Sequence, residues 1–232
     1  MPEEKTFVIP KKNRSSSVQL NVKVEKGSRE WDNINSILKH NCRLPRNSER
    51  FALENMWMIN NDRMNASFAK KRQEMKDDGR QATELRETYG FSLCKDFRIA
   101  MNICRFGLKT GHMFNGNHLG DCKMGVYVNR FADTLKKYHD WLNQDYTGFI
   151  VVLKLIRGRV KNVQVHKETD SILEPDPNFD CHTSKYTPSQ FQTMRHAEAF
   201  FAGRYYLYEF DHNLELVNIP RQVSIFVINC IF

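Results

Sequence analysis

The sequence predicts a mixed α+β fold in a single domain. Apolar residues at helical spacing occur mainly in the first half, whereas short runs rich in Val, Ile and Phe dominate the second half. Of the 232 residues, 41% are hydrophobic, which is enough to bury a sizeable core. We find neither an internal repeat nor a low-complexity tract that would divide the chain into separate units.

The N-terminal residues predict an extended arm followed by a helix. Residues 1–27 are rich in charge, with strand-like alternation at residues 6–9 and 18–24. Ser28 is placed to accept a hydrogen bond as the N-cap of the helix. The apolar residues on one side of that helix are Trp31, Ile34 and Leu38.

A second, longer helix is predicted for residues 49–76. Gly79 follows it and is suited to ending it, because glycine tolerates the backbone conformation beyond a helix C-terminus. Its apolar positions are Phe51, Trp57, Met64 and Phe68.

A strand and a third helix follow in the middle of the chain. The strand is predicted at residues 91–94, and the helix covers residues 97–106 with Asp96 as N-cap and Gly107 at its end. Two residues of this helix, Ile99 and Ile103, are expected to point inward.

A loop, a strand and a helix are predicted next. Residues 109–123 contain three glycines and indicate a loop, after which residues 126–128 read as a strand. A helix is expected from Asn129 to about His139.

The second half of the chain is predicted to be mostly strand. Residues 149–157 and 159–165 alternate Val and Ile with Lys and Arg, and Gly158 between them indicates a β-hairpin. Thr187 and Pro188 begin a helix that runs to residue 201, since proline is tolerated in the first helical turn. The late strands are predicted at residues 205–210 and 222–232.

Composition narrows the classes of function. Six cysteines are spaced irregularly and no secretory signal is evident, so we expect reduced thiols in the cytosol or nucleus. The formal charge of +8 is compatible with a nucleic-acid or an acidic protein partner. No apolar run is long enough to span a bilayer, and no membrane partner is expected.

Several stretches resemble a known fold. The stretch FSLCKDFRIAMNICRFGL and the later MGVYVNRFAD resemble the first strand and helix, and the tyrosine-bearing strand, of ADP-ribosyltransferases of the poly(ADP-ribose) polymerase (PARP) type. More specifically, the chain resembles the TASOR-type domain family, which comprises a transposon-silencing scaffold and its testis-expressed and paralogous relatives. The stretches that carry this likeness, in order, are GSREW, NSERF, AKKRQEMKDDGR, MGVYVNRFAD, DPNFDCHTSK and YYLYEF.

The resemblance implies three positions for a catalytic triad, and two of them lack the required group. Active members of the fold use a histidine that hydrogen-bonds NAD, a tyrosine that stacks on nicotinamide, and a glutamate that stabilises the transition state. Those positions correspond here to Leu93, Tyr127 and Gln222. Leucine cannot donate a hydrogen bond, and glutamine carries no charge. The resemblance therefore implies the fold without the reaction, a pseudoenzyme with no catalytic residue and no cofactor.

The sequence contains residues for three other kinds of site. A metal site could draw on His112, His118, Cys122, Cys181 and His182, but their spacing fits no common zinc pattern and no metal is expected. A cysteine nucleophile would need a paired base, whereas Cys94 and Cys104 read as small core residues. Nucleic-acid contact is the more serious alternative, because a basic strand face can follow phosphates. The residues proposed for it are Lys154, Arg157, Arg159 and Lys161.

These observations combine into one hypothesis with two alternatives. The fold is predicted as a PARP catalytic domain-like split β-sheet core with added N-terminal helices. We divide the chain into an extended arm at 1–27 and a pseudo-ADP-ribosyltransferase domain at 28–232, with a helical extension at 28–88 and the core at 89–232. The resemblance implies a nuclear scaffold with protein partners in transposable-element silencing. The alternatives are an active mono-ADP-ribosyltransferase that uses another acid, such as Glu209 or Asp211, and a nucleic-acid-binding module.

Overall fold

The computed structural model describes residues 20–44, 47, 52–110, 119–135, 147–165, 173–210 and 222–231. Within these ranges a single mixed sheet organises the chain. Its strands are β1 (Asn21–Val24), β2 (Ala52–Ile59), β3 (Glu87–Cys94), β4 (Val126–Asn129), β5 (Thr147–Ile156), β6 (Val160–Val163), β7 (Cys181–Ser184), β8 (Arg204–Leu207) and β9 (Gln222–Ile231). Their spatial order is β1-β2-β9-β5-β3-β4-β8-β7-β6.

Five helices accompany the strands in the part of the chain that the structure describes. They are α1 (Arg29–His40), α2 (Asp62–Asp77), α3 (Phe97–Phe106), α4 (Pro188–Thr193) and α5 (His196–Ala202), with a 3-10 turn at Ala132–Thr134. No helix among these is both long enough and apolar enough to cross a membrane. The α+β fold predicted from the sequence is therefore observed.

The sheet has an apolar core on each face. Helices α1 and α2 contribute Trp31, Ile34, Leu38 and Phe68 to one core, together with Phe91 and Leu93 of β3. Helix α3 contributes Ala100, Met101 and Cys104 to the other core, which also contains Cys94 and strands β4 and β8. Successive residues of β3 thus enter different cores, as expected for a strand that is covered on both faces.

Two helices have the predicted ends because their caps are local. The Ser28 hydroxyl accepts a hydrogen bond from the Trp31 backbone N–H at 3.2 Å, which starts α1. The Asp96 carboxylate accepts from the Ile99 N–H at 2.8 Å, and Gly107 ends α3 with a φ of +77°. The inward placement of Ile99 was wrong, since its side chain is 42% exposed.

The predicted helix over residues 49–76 was also wrong in its first half. Residues 52–59 form β2, which pairs with β1 on one side and β9 on the other. Only the second half is helical, and it begins where the Asn61 side chain accepts a hydrogen bond from the Met64 N–H at 3.1 Å. The apolar residues of 52–59 suit either element, and the two long-range strand partners decide for the sheet. The segment at 28–88 is consequently not purely helical.

The predicted hairpin at Gly158 does not form. Strand β5 lies between β9 and β3, whereas β6 is at the edge of the sheet, paired in parallel with β7. Gly158 has a φ of +68°, and the Arg159 backbone N–H donates to the Asp180 carboxylate at 2.7 Å. The glycine therefore turns the chain away from β5 instead of folding it back along that strand.

Smaller differences concern the remaining elements. Asn129 ends β4 instead of beginning a helix, and residues 136–146 lie outside the described residues. The helix predicted up to residue 201 is divided into α4 and α5, because Met194 leaves the helical conformation with a ψ of 148°. The strand predicted at residues 6–9 also lies outside the described residues, while 21–24 joins the sheet as β1. The predicted domain boundaries stay predictions.

Candidate functional site

Tyr127 lies in β4, and its hydroxyl is fully engaged inside the protein. The hydroxyl donates to the Gly120 carbonyl at 2.5 Å and accepts from the Leu119 backbone N–H at 3.1 Å. Burial raises the pKa of this phenol to about 12, so it stays protonated. The Tyr206 ring packs beside it with a centroid distance of 5.0 Å. The tyrosine that the resemblance assigns to nicotinamide stacking is thus part of an internal cluster.

A buried arginine covers the aromatic face of Tyr127. The guanidinium carbon of Arg204 lies 4.5 Å from the Tyr127 ring centroid, and the Arg204 side chain is almost inaccessible to solvent. The same guanidinium lies 5.1 Å from the Phe200 ring centroid and 5.0 Å from that of Phe201. A cation held on a ring by its quadrupole takes the space that a stacked planar ligand would need. The Tyr127 face is therefore already occupied by this chain.

The short segment at 119–121 closes over the same cluster. The Tyr206 hydroxyl donates to the Asp121 carbonyl at 2.7 Å. His182 is fully buried and its Nδ1 lies 2.8 Å from the Leu119 carbonyl, which can only accept. Its Nε2 therefore accepts from the Tyr208 hydroxyl, also at 2.8 Å. Three ring side chains from β4, β7 and β8 thereby hold the segment in place.

His182 serves this cluster as a neutral structural side chain. Burial lowers the pKa of the imidazole below its usual range, and the hydrogen bond to Leu119 only partly opposes this. Residues 119–135, 173–210 and the other described ranges contain no group of three or more His, Cys, Asp or Glu that could hold a metal. His112 and His118, two members of the metal set considered above, lie outside the described residues.

Leu93 occupies an apolar environment in β3. Its side chain is 7% exposed and packs with Phe91 and Ile150 in the core beneath α1. The neighbouring Cys94 enters the opposite core, where burial raises the pKa of its thiol to about 12. A protonated buried thiol is a poor nucleophile, and a leucine offers no hydrogen bond to a carboxamide. Leu93 and Cys94 thus supply packing and offer a ligand no strong polar group.

The structure does not bring Gln222 to Tyr127. Gln222 begins β9, and strands β5 and β3 lie between β9 and β4. Three strand spacings amount to about 14 Å across the sheet. The strand beside β4 is β8, whose register places Asn129 opposite Arg204 and Tyr127 opposite Tyr206. Gln222 and Tyr127 thus lie on strands that are not neighbours, and the three triad positions stay predictions. Among the described residues, Arg204 and Tyr206 contact the Tyr127 ring.

The alternative acid for a rearranged triad is engaged elsewhere. The Glu209 carboxylate forms an ion pair with Lys71 of α2 at 2.5 Å, with both side chains largely buried. Asp211 lies outside the described residues. This ion pair therefore connects α2 to the segment that directly follows β8.

The four cations proposed for nucleic-acid contact do not share a hairpin. Three of them form ion pairs within the chain: Lys154 with Glu87 at 3.3 Å, Arg159 with Glu84 at 3.2 Å, and Lys161 with Asp176 at 2.6 Å. The Lys161 ammonium lowers the pKa of the Asp176 carboxyl. Arg157 stacks over the Tyr205 ring at 5.5 Å. Nucleic-acid contact stays a prediction, although its structural premise of one basic hairpin was wrong.

Two important side chains were missed in the sequence. Arg204 was overlooked because no local pattern indicates that the start of β8 lies beside β4. The second is Asp133, which is 7% exposed and accepts from the backbone N–H groups of Arg43 and Leu44 and from the Asn47 amide. The sequence signal that could have found it is a carboxylate directly after the apolar residues Phe131 and Ala132, because a carboxylate in an apolar stretch requires hydrogen-bond partners if it is buried.

Comparisons with known proteins agree with this architecture. The family described as protein of unknown function (DUF3715) matches residues 74–224. The chain is 30% identical to Protein TASOR of Homo sapiens over 230 residues, which are 96% of this chain and 13% of that protein. It is 34% identical to Protein TASOR of Xenopus laevis over 234 residues, covering 96% of this chain and 14% of that protein. The chain thus spans about one seventh of the length of these curated relatives.

A solved structure gives the same result in three dimensions. The crystal structure of the TASOR pseudo-PARP domain matches with a TM-score of 0.84 and 27% sequence identity. The match covers 92% of this chain and 99% of the other. It confirms the predicted fold of the ADP-ribosyltransferase type. It also supports the prediction of a pseudoenzyme, because the matched domain is itself a pseudo-PARP.

Proposed function

Because the chain belongs to the DUF3715 family and is homologous to TASOR, we propose that it is a non-catalytic scaffold domain in the nuclear silencing of transposable elements. The proposal has two parts. The first concerns the closed cleft, by which we mean the face of Tyr127 that Arg204 and residues 119–121 cover. This part of the fold, where active relatives bind NAD, takes no part in the function. The second is that the domain acts by binding other proteins through its surface, as one portion of a longer silencing subunit.

The closed cleft carries the first part of this proposal. Arg204 covers the face of Tyr127, and the segment at 119–121 occupies its hydroxyl. An NAD molecule would have to displace a buried cation and break several internal hydrogen bonds, each worth about 1 kcal/mol or more. It would gain no polar contact from Leu93 in return. The internal contacts of Tyr127 are therefore expected to be more stable than the contacts that NAD could make in their place.

An exposed apolar face on α3 supports the second part. Phe106 is 62% exposed and Ile99 is 42% exposed, and they lie seven residues apart on the same side of the helix. Large apolar side chains that are exposed on one side of a helix can mark a protein-binding surface. The Lys109 ammonium lies 5.7 Å from the Phe106 ring centroid, which suits an acidic partner.

The test compares surface and cleft variants in cells that silence an integrated transposon reporter. Cells that lack the endogenous protein are complemented with the full-length protein carrying Phe106→Glu or Tyr127→Phe in this domain. We expect Phe106→Glu to release the reporter and Tyr127→Phe to preserve repression at equal protein levels. An intact nuclear signal in fluorescence microscopy controls for mislocalisation. Loss of repression by a cleft variant that is folded and abundant would contradict the scaffold proposal.

A second function, direct nucleic-acid contact, is favoured by the excess of cations. The formal charge is +8, and Arg157 and Arg159 flank the turn at Gly158. Reversing the charge of Arg157, Arg159 and Lys161 to Glu should then abolish retention of RNA or DNA in a filter-binding assay at low salt. The control for the change in net charge reverses three other exposed cations, Arg98, Arg105 and Lys109, to Glu together. Unchanged retention by the triple variant would eliminate this function.

A further inference from the structure

A polar cavity of about 460 Å³ lies near the edge of the sheet formed by β6 and β7. The loop before β3, the turn after β4 and the turn after β5 complete its wall. The residues that matter for its chemistry are Glu84, Arg130, Arg157, Asn162, Thr183 and Lys185. Its volume lies within the range of small-molecule sites in proteins, roughly 300–1,000 Å³.

The cavity is separate from the closed cleft at Tyr127. Cross-strand register places Tyr127, Tyr206 and His182 in one row, so their side chains share a face of the sheet. Thr183 is the next residue after His182 and is paired with Asn162 of β6. Both therefore occupy register positions of the opposite face. A ligand in this cavity would need none of the degenerate NAD contacts.

The lining carries an excess of positive charge. Arg130, Arg157 and Lys185 bring three cations, and Glu84 brings the single carboxylate. That carboxylate is already engaged, since its oxygens accept from Arg159 Nε at 3.2 Å and from the Gln81 backbone N–H at 2.8 Å. The lining residues therefore carry a net formal charge of +2 around a concave space. Such a space concentrates anions, because the walls focus the field of the fixed charges.

Aromatic contacts hold both guanidinium groups in position. The Arg130 guanidinium carbon lies 5.2 Å from the Phe131 ring centroid and 5.6 Å from that of Phe191. The Arg157 guanidinium carbon lies 5.5 Å from the Tyr205 ring centroid. The planar fork of an arginine matches phosphate oxygens in a bidentate way, which the point charge of a lysine cannot do. Lys185 is exposed and can approach as a mobile point charge.

We propose that this cavity binds a phosphate dianion, either free or as the monoester group of a small polar molecule. A net lining charge of +2 matches a dianion better than a monocarboxylate. The Asn162 amide, on the exposed side of the cavity, is a neutral donor, whereas the Thr183 hydroxyl already donates to the Arg204 carbonyl at 3.3 Å. The cavity exceeds the volume of phosphate alone, which leaves room for a carrier group. This proposal does not depend on the scaffold function.

Isothermal titration of the purified chain tests it with inorganic phosphate, AMP and adenosine. We expect phosphate and AMP to bind at one site and compete with each other, and adenosine, which lacks the phosphate, to give no heat. Lys185→Gln should weaken AMP binding at least tenfold without changing the melting temperature. Lys23→Gln, which removes another exposed lysine, in β1, should leave binding unchanged. Arg130→Gln and Arg157→Gln should each weaken binding further, provided that their circular dichroism matches that of the wild type.

Three results would overturn the proposal. The first is the absence of phosphate and AMP binding at millimolar concentration. The second is an equal loss of affinity in Lys185→Gln and Lys23→Gln, which would indicate a general charge effect. The third is binding of an oligonucleotide that neither phosphate nor AMP displaces, which would assign the cations to an extended nucleic-acid surface.

Discussion

Asp133 is predicted to contribute most of the stability of the junction between α1, the 3-10 turn and α4. Its Oδ1 accepts from the Arg43 N–H at 2.7 Å, and its Oδ2 accepts from the Leu44 N–H at 3.1 Å and from the Asn47 amide at 2.8 Å. The Arg43 side chain continues the network by donating to the Phe191 carbonyl at 3.0 Å and to that of Met194 at 2.7 Å. The carboxylate thus connects segments that are about 90 residues apart.

Asp133→Ala removes one acceptor group and leaves three donors without it. Each buried donor that loses its partner costs about 1–3 kcal/mol, and hydrogen bonds to a charged group lie in the upper part of that range. The three losses are coupled and part of the cost is recovered by relaxation and water entry. We therefore expect the free energy of unfolding to fall by about 3–5 kcal/mol. Asp133→Asn keeps the shape and one carbonyl acceptor, and an intermediate loss is expected.

Urea denaturation followed by tryptophan fluorescence and circular dichroism measures this difference. Asp96→Ala is the matched control, because it removes a single N-cap hydrogen bond of 2.8 Å at the start of α3. It should cost about 1 kcal/mol. The reasoning is refuted if Asp133→Ala loses less than about 1 kcal/mol at an unchanged denaturant slope, or no more than Asp96→Ala.

Three further predictions concern the closed cleft. Calorimetry with millimolar NAD should give no heat for the wild type or for Arg204→Ala, because uncovering the ring of Tyr127 restores no polar group; saturable heat from either protein would contradict this. Gly120→Ala should lower the free energy of unfolding by about 1–3 kcal/mol, because the new Cβ would contact the Tyr206 ring. An unchanged melting temperature would refute the close contact. Burial lowers the pKa of His182 in the folded chain, so the unfolded state binds more protons below the ordinary value of 6.5. Stability should accordingly be complete above pH 6.5 and decrease as the pH falls below it, and denaturant titrations should show a weaker decrease for His182→Gln.

Local signals in the sequence predicted the parts of the fold that depend on local contacts. The caps of α1 and α3 act over three residues, so Ser28 with Trp31 and Asp96 with Ile99 could be recognised without knowing the rest of the chain. The resemblance of the stretch around Tyr127 to a PARP-type strand likewise predicted a site that lacks its polar partners. Leu93 could be excluded as a hydrogen-bond donor from its side-chain chemistry alone.

The tertiary structure decided which strands are neighbours, and with them the composition of the site. Residues 52–59 form a strand because they pair with β1 and β9. Strand β6 does not pair with β5, because it pairs in parallel with β7 at the edge of the sheet. Arg204 covers Tyr127 because β8, and not β9, lies beside β4. These pairings join residues up to about 180 positions apart, and each depends on what both faces of the sheet can bury. The chemistry of each side chain was therefore determined by the sequence, whereas the side chains that meet were determined by long-range strand pairing.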